Sequence, residues 1–104
     1  MARVGRYTTP THIFTVPFDP STITLLSIVY EQADTILMEK HLEDVTLRDN
    51  SISVTLTEEE TALFKAVYPV KIQLRVGIGS SRLNSGIISC SVEDVLKEGE
   101  LDDS

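Results

Sequence analysis

The segment Ser51–Ile52–Ser53–Val54–Thr55–Leu56–Thr57 alternates without a break. Ile52, Val54 and Leu56 fall on one side, and Ser51, Ser53, Thr55 and Thr57 on the other. Only an extended chain sends every second side chain to the same face, whereas a helix would scatter those three apolar residues around its axis. The segment is therefore expected to be a β-strand with one buried and one wet face. The same period recurs along the chain. His12, Phe14 and Val16 oppose Thr11, Ile13 and Thr15; Leu26, Ile28 and Tyr30 oppose Leu25, Ser27 and Val29; Val70, Ile72, Leu74 and Val76 oppose Lys71, Gln73 and Arg75. Ile88, Cys90 and Val92 oppose Ile87, Ser89 and Ser91 in a last strand, 87–93. Residues 35–41 and 45–47 complete the set, with no clear inner face in 35–41. Valine, isoleucine and threonine supply 30 of the 104 residues, and β-branched side chains favour strands.

Turn chemistry separates these strands. Pro17–Phe18–Asp19–Pro20–Ser21 ends the first, because two prolines deny ladder donors. Gln32–Ala33–Asp34 and Asp49–Asn50 have the length and polarity of hairpin turns. Residues 77–86, rich in Gly and Ser, read as a loop. Thr57–Glu58–Glu59–Glu60 is a capping box, with the Thr57 hydroxyl placed for the N3 amide and Glu60 reaching back. A short helical turn is expected near 58–64.

A chain of 104 residues makes one domain. About seven short strands joined by tight turns imply an all-β sandwich or small barrel. The helical turn falls between the fifth and sixth strands, which in an immunoglobulin-like antiparallel β-sandwich is the corner between strands E and F. Tyr68, two residues before Val70, is expected to serve there as a tyrosine corner. The chain has no tryptophan for strand C.

No chemistry-bearing constellation emerges. Gly77–Ile78–Gly79 lacks the third glycine, the following helix and the Lys–Ser/Thr of a phosphate loop. His12 and His41 stand without a second ligand at a metal interval, and Glu58–Glu60 are explained by capping. Cys90 reads as a buried structural thiol. No catalytic, cofactor or metal residue is assigned, and no enzyme activity is expected. The net charge is −7, of which −5 lies in residues 93–104. A chain so acidic offers no large positive surface for nucleic acid, and no apolar run approaches the ~20 residues of a membrane-spanning helix. Three parts are expected: a flexible N-terminal arm (1–10), the sandwich (11–93) and an acidic tail (94–104). Candidate contact residues are Arg3, Arg6 and Tyr7 in the arm and Gly79, Ser80, Arg82 and Asn84 in the Gly/Ser loop. Strand 11–16 or strand 87–93 is a candidate free sheet edge.

Three segments carry a resemblance. Thr9–Pro10–Thr11–His12–Ile13–Phe14–Thr15–Val16–Pro17–Phe18–Asp19 resembles the opening of small structural proteins of phages and prophages of Gram-positive bacteria. Ser51–Ile52–Ser53–Val54–Thr55–Leu56–Thr57–Glu58–Glu59–Glu60–Thr61 resembles their central segment. The pair Val70–Val76 and Ile87–Val92 resembles their last hairpin. The layout is similar to the immunoglobulin-like N-terminal domain of phage baseplate upper proteins. The resemblance implies a virion component of the tail, baseplate or neck, made in the bacterial cytoplasm and packed against other virion proteins and copies of itself. A capsid decoration protein, or a soluble adaptor or inhibitor of a host protein, are the alternatives.

Overall fold

A computed structural model describes residues 3–93, with side chains from 4 to 92; the acidic tail 94–104 lies outside the described residues. Among the described residues, nine strands and one α-helical turn follow in the order β1 (Arg3–Gly5), β2 (Thr11–Thr15), β3 (Leu25–Gln32), β4 (Thr35–His41), β5 (Thr46–Arg48), β6 (Ser51–Thr55), α1 (Glu58–Thr61), β7 (Val70–Ile78), β8 (Ser81–Asn84) and β9 (Ile88–Glu93), with 3₁₀ turns at Pro20–Thr22 and Leu42–Asp44. They form two sheets. One runs β2-β6-β5; the other runs β1-β9-β7-β3-β4, with β8 also paired to β7. In immunoglobulin lettering β2-β6-β5 corresponds to B-E-D and β9-β7-β3-β4 to G-F-C-C′, with β1 added beside G. The fold is thus an all-β, immunoglobulin-like sandwich.

The core lies between the sheets. The even-numbered residues of β3 and β7 point into it, with Ile28, Tyr30 and Val70 fully buried. From the smaller sheet come Phe14, Ile52 and Val54, and from the connections Leu56 and Phe64. Tyr30 occupies strand C, where antibody domains carry a tryptophan. Its ring stacks on Phe64 at 6.2 Å between centroids, and its hydroxyl shares a 2.7 Å hydrogen bond with His12 Nδ1 across the sheets.

Connections are tight where the turn residues demand it. β3 and β4 pair up to Gln32 and Thr35, leaving Ala33 and Asp34 as a two-residue turn with φ of 48° and 64°. Positive φ at both central positions is the type I′ pattern that matches strand twist. α1 begins with the Thr57 side chain accepting from Glu60 N at 3.1 Å, while Thr57 N donates to Glu60 Oε1 at 2.9 Å.

Four features differ from the sequence reading. Among the described residues the strands number nine rather than about seven. The sandwich is not wholly antiparallel, because Arg3–Gly5 pairs in parallel with Ser91–Glu93. Residues 3–8, read as part of a flexible arm, are held by the fold: Val4 is 1% exposed, and the buried Thr61 hydroxyl accepts from Thr8 N and donates to Thr8 O, both at 2.9 Å. Finally, the Gly/Ser stretch is not one loop. Gly79, at φ +58°, turns β7 back on itself, and Ser81–Asn84 pair with Arg75–Ile78 as β8.

Candidate interaction surfaces

Tyr68 does not make the expected corner. Its ring is 45% exposed, and it offers the domain its backbone carbonyl. The corner is held instead by Gln32, whose side chain is buried. Gln32 Nε2 donates to Lys65 O at 2.7 Å and to Tyr68 O at 2.8 Å, and Gln32 Oε1 accepts from Lys65 N at 2.7 Å. A glutamine amide has the donors and the acceptor to do this at one site. The residue stands at the last position of β3, where the sequence shows only a polar break.

The contact candidates from the sequence fall on separate surfaces. Arg6 Nη2 donates to Ala62 O at 3.3 Å, and its guanidinium sits 5.2 Å from the Tyr7 ring centre. Arg6 is therefore held at the end of α1 and Tyr7 lies against Arg6. The side chain of Arg3 lies outside the described side chains. Gly79 and Ser80 form the tip of the β7–β8 hairpin. Arg82 turns back on that tip, donating through Nη1 to Gly79 O and Ser81 O at 2.9 Å each. Asn84 accepts from Arg75 Nε at 3.1 Å. Beside it, Ser27 donates to Glu39 at 2.7 Å, and that bond is the main reason the Glu39 carboxyl lies below its ordinary range. These polar side chains on the outer face of the larger sheet are bonded to one another, beside the exposed Leu25.

His41 has closer neighbours than the sequence reading assigns it. Ligand atoms of His41, Glu43 and Asp44 lie within 4.8 Å of one another, all on exposed residues. Asp44 is already engaged, accepting from His41 N at 2.9 Å as the cap of a helical turn. Cys90 is buried, and burial pushes its thiol up, away from an activated thiolate. Burial also raises the Tyr30 hydroxyl and lowers His12. Both shifts favour the uncharged form of this pair, of which Tyr30 is buried and His12 half-buried. Glu60 is pushed up by its partial burial, yet the ion pair with Lys40 and the bonds from Thr57 bring it below its ordinary value overall.

The surface that the sequence reading leaves without a detailed form lies at the open side of the sandwich. An apolar groove of about 480 Å³ runs between β2 and the β8–β9 segment. Its floor is Phe14, Val16, Leu74 and Val76, and its rim includes Ile13, Leu83 and Ile88, which are 66%, 45% and 44% exposed. A bulge shapes the far wall. The register of β7 against β8 and that against β9 differ by one residue, and Ser85 takes up the difference. Its N–H donates to Leu74 O at 2.8 Å, and its hydroxyl accepts from Leu74 N at 2.9 Å. Such bulges re-aim the strand that carries them. The strand 11–16 is an edge, as one of the two options allows. Strand 87–93 is not, because β9 lies between β1 and β7.

No protein-family model matches the chain, and no curated protein matches it in sequence. Among solved structures, it is similar to the immunoglobulin-like domain of mouse leukocyte-associated immunoglobulin-like receptor 1, crystallised as a strand-swapped dimer. The two share 10% identity over 86% of this chain and 84% of that one, with a TM-score of 0.52. That likeness is one of fold.

Proposed function

We propose that this chain is a non-enzymatic structural module of a phage virion, in the tail, baseplate or neck, that works through protein–protein contacts. The observation that carries the contact role is the open side of the sandwich, where an apolar groove adjoins a sheet edge paired on one side only. Exposed apolar surface next to unsatisfied strand backbone suits an added strand or a neighbouring subunit. The virion setting rests on the resemblance of segments 9–19, 51–61, 70–76 and 87–92 to small phage structural proteins. The mouse receptor domain, caught with strands exchanged between copies, supports self-association as a use for such edges. Immunoglobulin-like sandwiches serve many roles, so the fold itself does not select among them.

Mass spectrometry of purified particles from a producing host tests the reading. Peptides of the chain are expected in intact particles and in tails freed of heads. Detection in heads alone would replace the tail reading with capsid decoration. Absence from all particles would refute the virion role.

A further inference from the structure

The edge of β2 has a form that selects its partner. β2 pairs with β6 in antiparallel register, Thr11 against Thr55 through Thr15 against Ser51. The flanking bonds fix the phase of the ladder: Leu56 N donates to Pro10 O, and Val16 N donates to Asn50 O. In an antiparallel pair the N–H and C=O of one residue point the same way, and successive residues alternate. The even residues of β2 therefore bond to β6. The odd residues, Thr11, Ile13 and Thr15, aim their backbone groups outward from the edge. No other described strand pairs there.

The outward set Thr11–Ile13–Thr15 reads the same in both directions. The geometry points to a second copy of this chain as the occupant: two β2 strands pair antiparallel about a two-fold axis through Ile13. Ile13 then faces Ile13 of the second copy, and Thr11 faces its Thr15. Each of those pairs exchanges both backbone bonds, and Thr–Thr and apolar cross-strand pairs are favourable. A symmetric dimer needs such a self-complementary patch.

Charge makes the same choice. The chain carries −7, so two copies repel wherever acid meets acid. β2 has no charged residue at neutral pH, and its neighbours on β6 (Ser51, Ser53, Thr55) are hydroxyl residues. Natural edges are guarded by lysine, by a proline within the strand or by a bulge; β2 has none of these. Pro10 and Pro17 lie just outside it and limit the pairing to this short segment. Pairing also sets the two apolar grooves, which adjoin β2 in each copy, next to one another across the joint. This inference deepens the contact-module reading and rests on it, but it is tested without particles.

The test is molar mass by light scattering across a dilution series, for the natural chain and two variants. The natural chain is expected to shift from 11.5 kDa toward twice that mass as concentration rises. Ile13→Pro removes the outward N–H, a substitution that an edge strand tolerates on its solvent side, and the bonds of His12 and Phe14 to β6 do not use that group, so it is expected to stay folded and monomeric. Ile13→Lys, at an exposed side chain, is the second variant should the proline unfold the domain; it is also expected to be monomeric, with an unchanged circular dichroism spectrum. A natural chain that is monomeric into the millimolar range overturns the inference. So does a dimer that survives both substitutions. A monomeric chain that is nevertheless found in virions would overturn self-pairing alone; a dimer absent from virions would overturn the virion role alone.

Discussion

Gln32→Leu is the substitution that isolates how the loop between α1 and β7 is held. The side chain makes three hydrogen bonds to backbone groups of Lys65 and Tyr68. Each intramolecular bond contributes about 0.5–1.5 kcal/mol net. These bonds are half-buried, so the freed backbone groups stay partly out of water and each loss is at least the ordinary value per bond. Leucine also keeps the apolar bulk of the site. The expected cost is about 2–4 kcal/mol, or a fall in Tm of about 8–16 °C at roughly 4 °C per kcal/mol for a domain of this size. Tyr68→Phe, which alters only the hydroxyl of an exposed ring, is expected to shift Tm by less than about 2 °C. Thermal and urea unfolding of both variants gives the comparison. A larger loss from Tyr68→Phe than from Gln32→Leu would refute the assignment of the corner to Gln32.

Three further outcomes are expected. Leu74→Ala, which opens a hole beneath the groove, costs about 2–5 kcal/mol in urea unfolding, while Lys71→Ala on the opposite face stays within about 0.5 kcal/mol. His12 is lowered by burial from 6.5, so below that pH the unfolded chain binds the extra proton and the folded one resists it. Stability therefore falls as pH drops through about 6.5 and below, and His12→Phe, compared with the natural chain from pH 7.5 to about 5, flattens that slope. Ala33 holds a left-handed turn position at φ 48°, which costs an L-residue about 1–2 kcal/mol. Ala33→Gly relieves it and, after the entropy that glycine loses on folding, raises stability by about 0.5–1 kcal/mol.

The legible parts of the chain are those with one wet and one dry face. β2, β3, β6 and β7 each alternate over five residues or more, and their even positions face the core, apart from the half-buried His12 and Ile78 at the strand ends and the buried Gly77. The capping residues of α1 act within a single turn, so their roles are also visible locally. What escaped notice depends on partners far away in sequence. β1 is three residues long, and its burial comes from a parallel pairing with β9 some 88 residues on. β8 is exposed along its whole length, so burial imposes no pattern on it. β4 mixes half-buried Leu37, Met38 and Lys40, because it forms the outer edge of its sheet and neither face is fully covered. Gln32 looks like turn material until the loop at 65–68 is placed against it. The groove was hidden for the same reason: its two walls come from segments some 60 residues apart.

Residue-resolved amide exchange along β2 tests the central claim most directly. At high dilution the amides of His12, Phe14 and Val16 are expected to be protected, and those of Thr11, Ile13 and Thr15 to exchange freely. Raising the concentration is expected to slow Thr11, Ile13 and Thr15 until the alternation disappears. Equal protection of all six amides at high dilution would show the edge already covered within one chain, and would contradict the account.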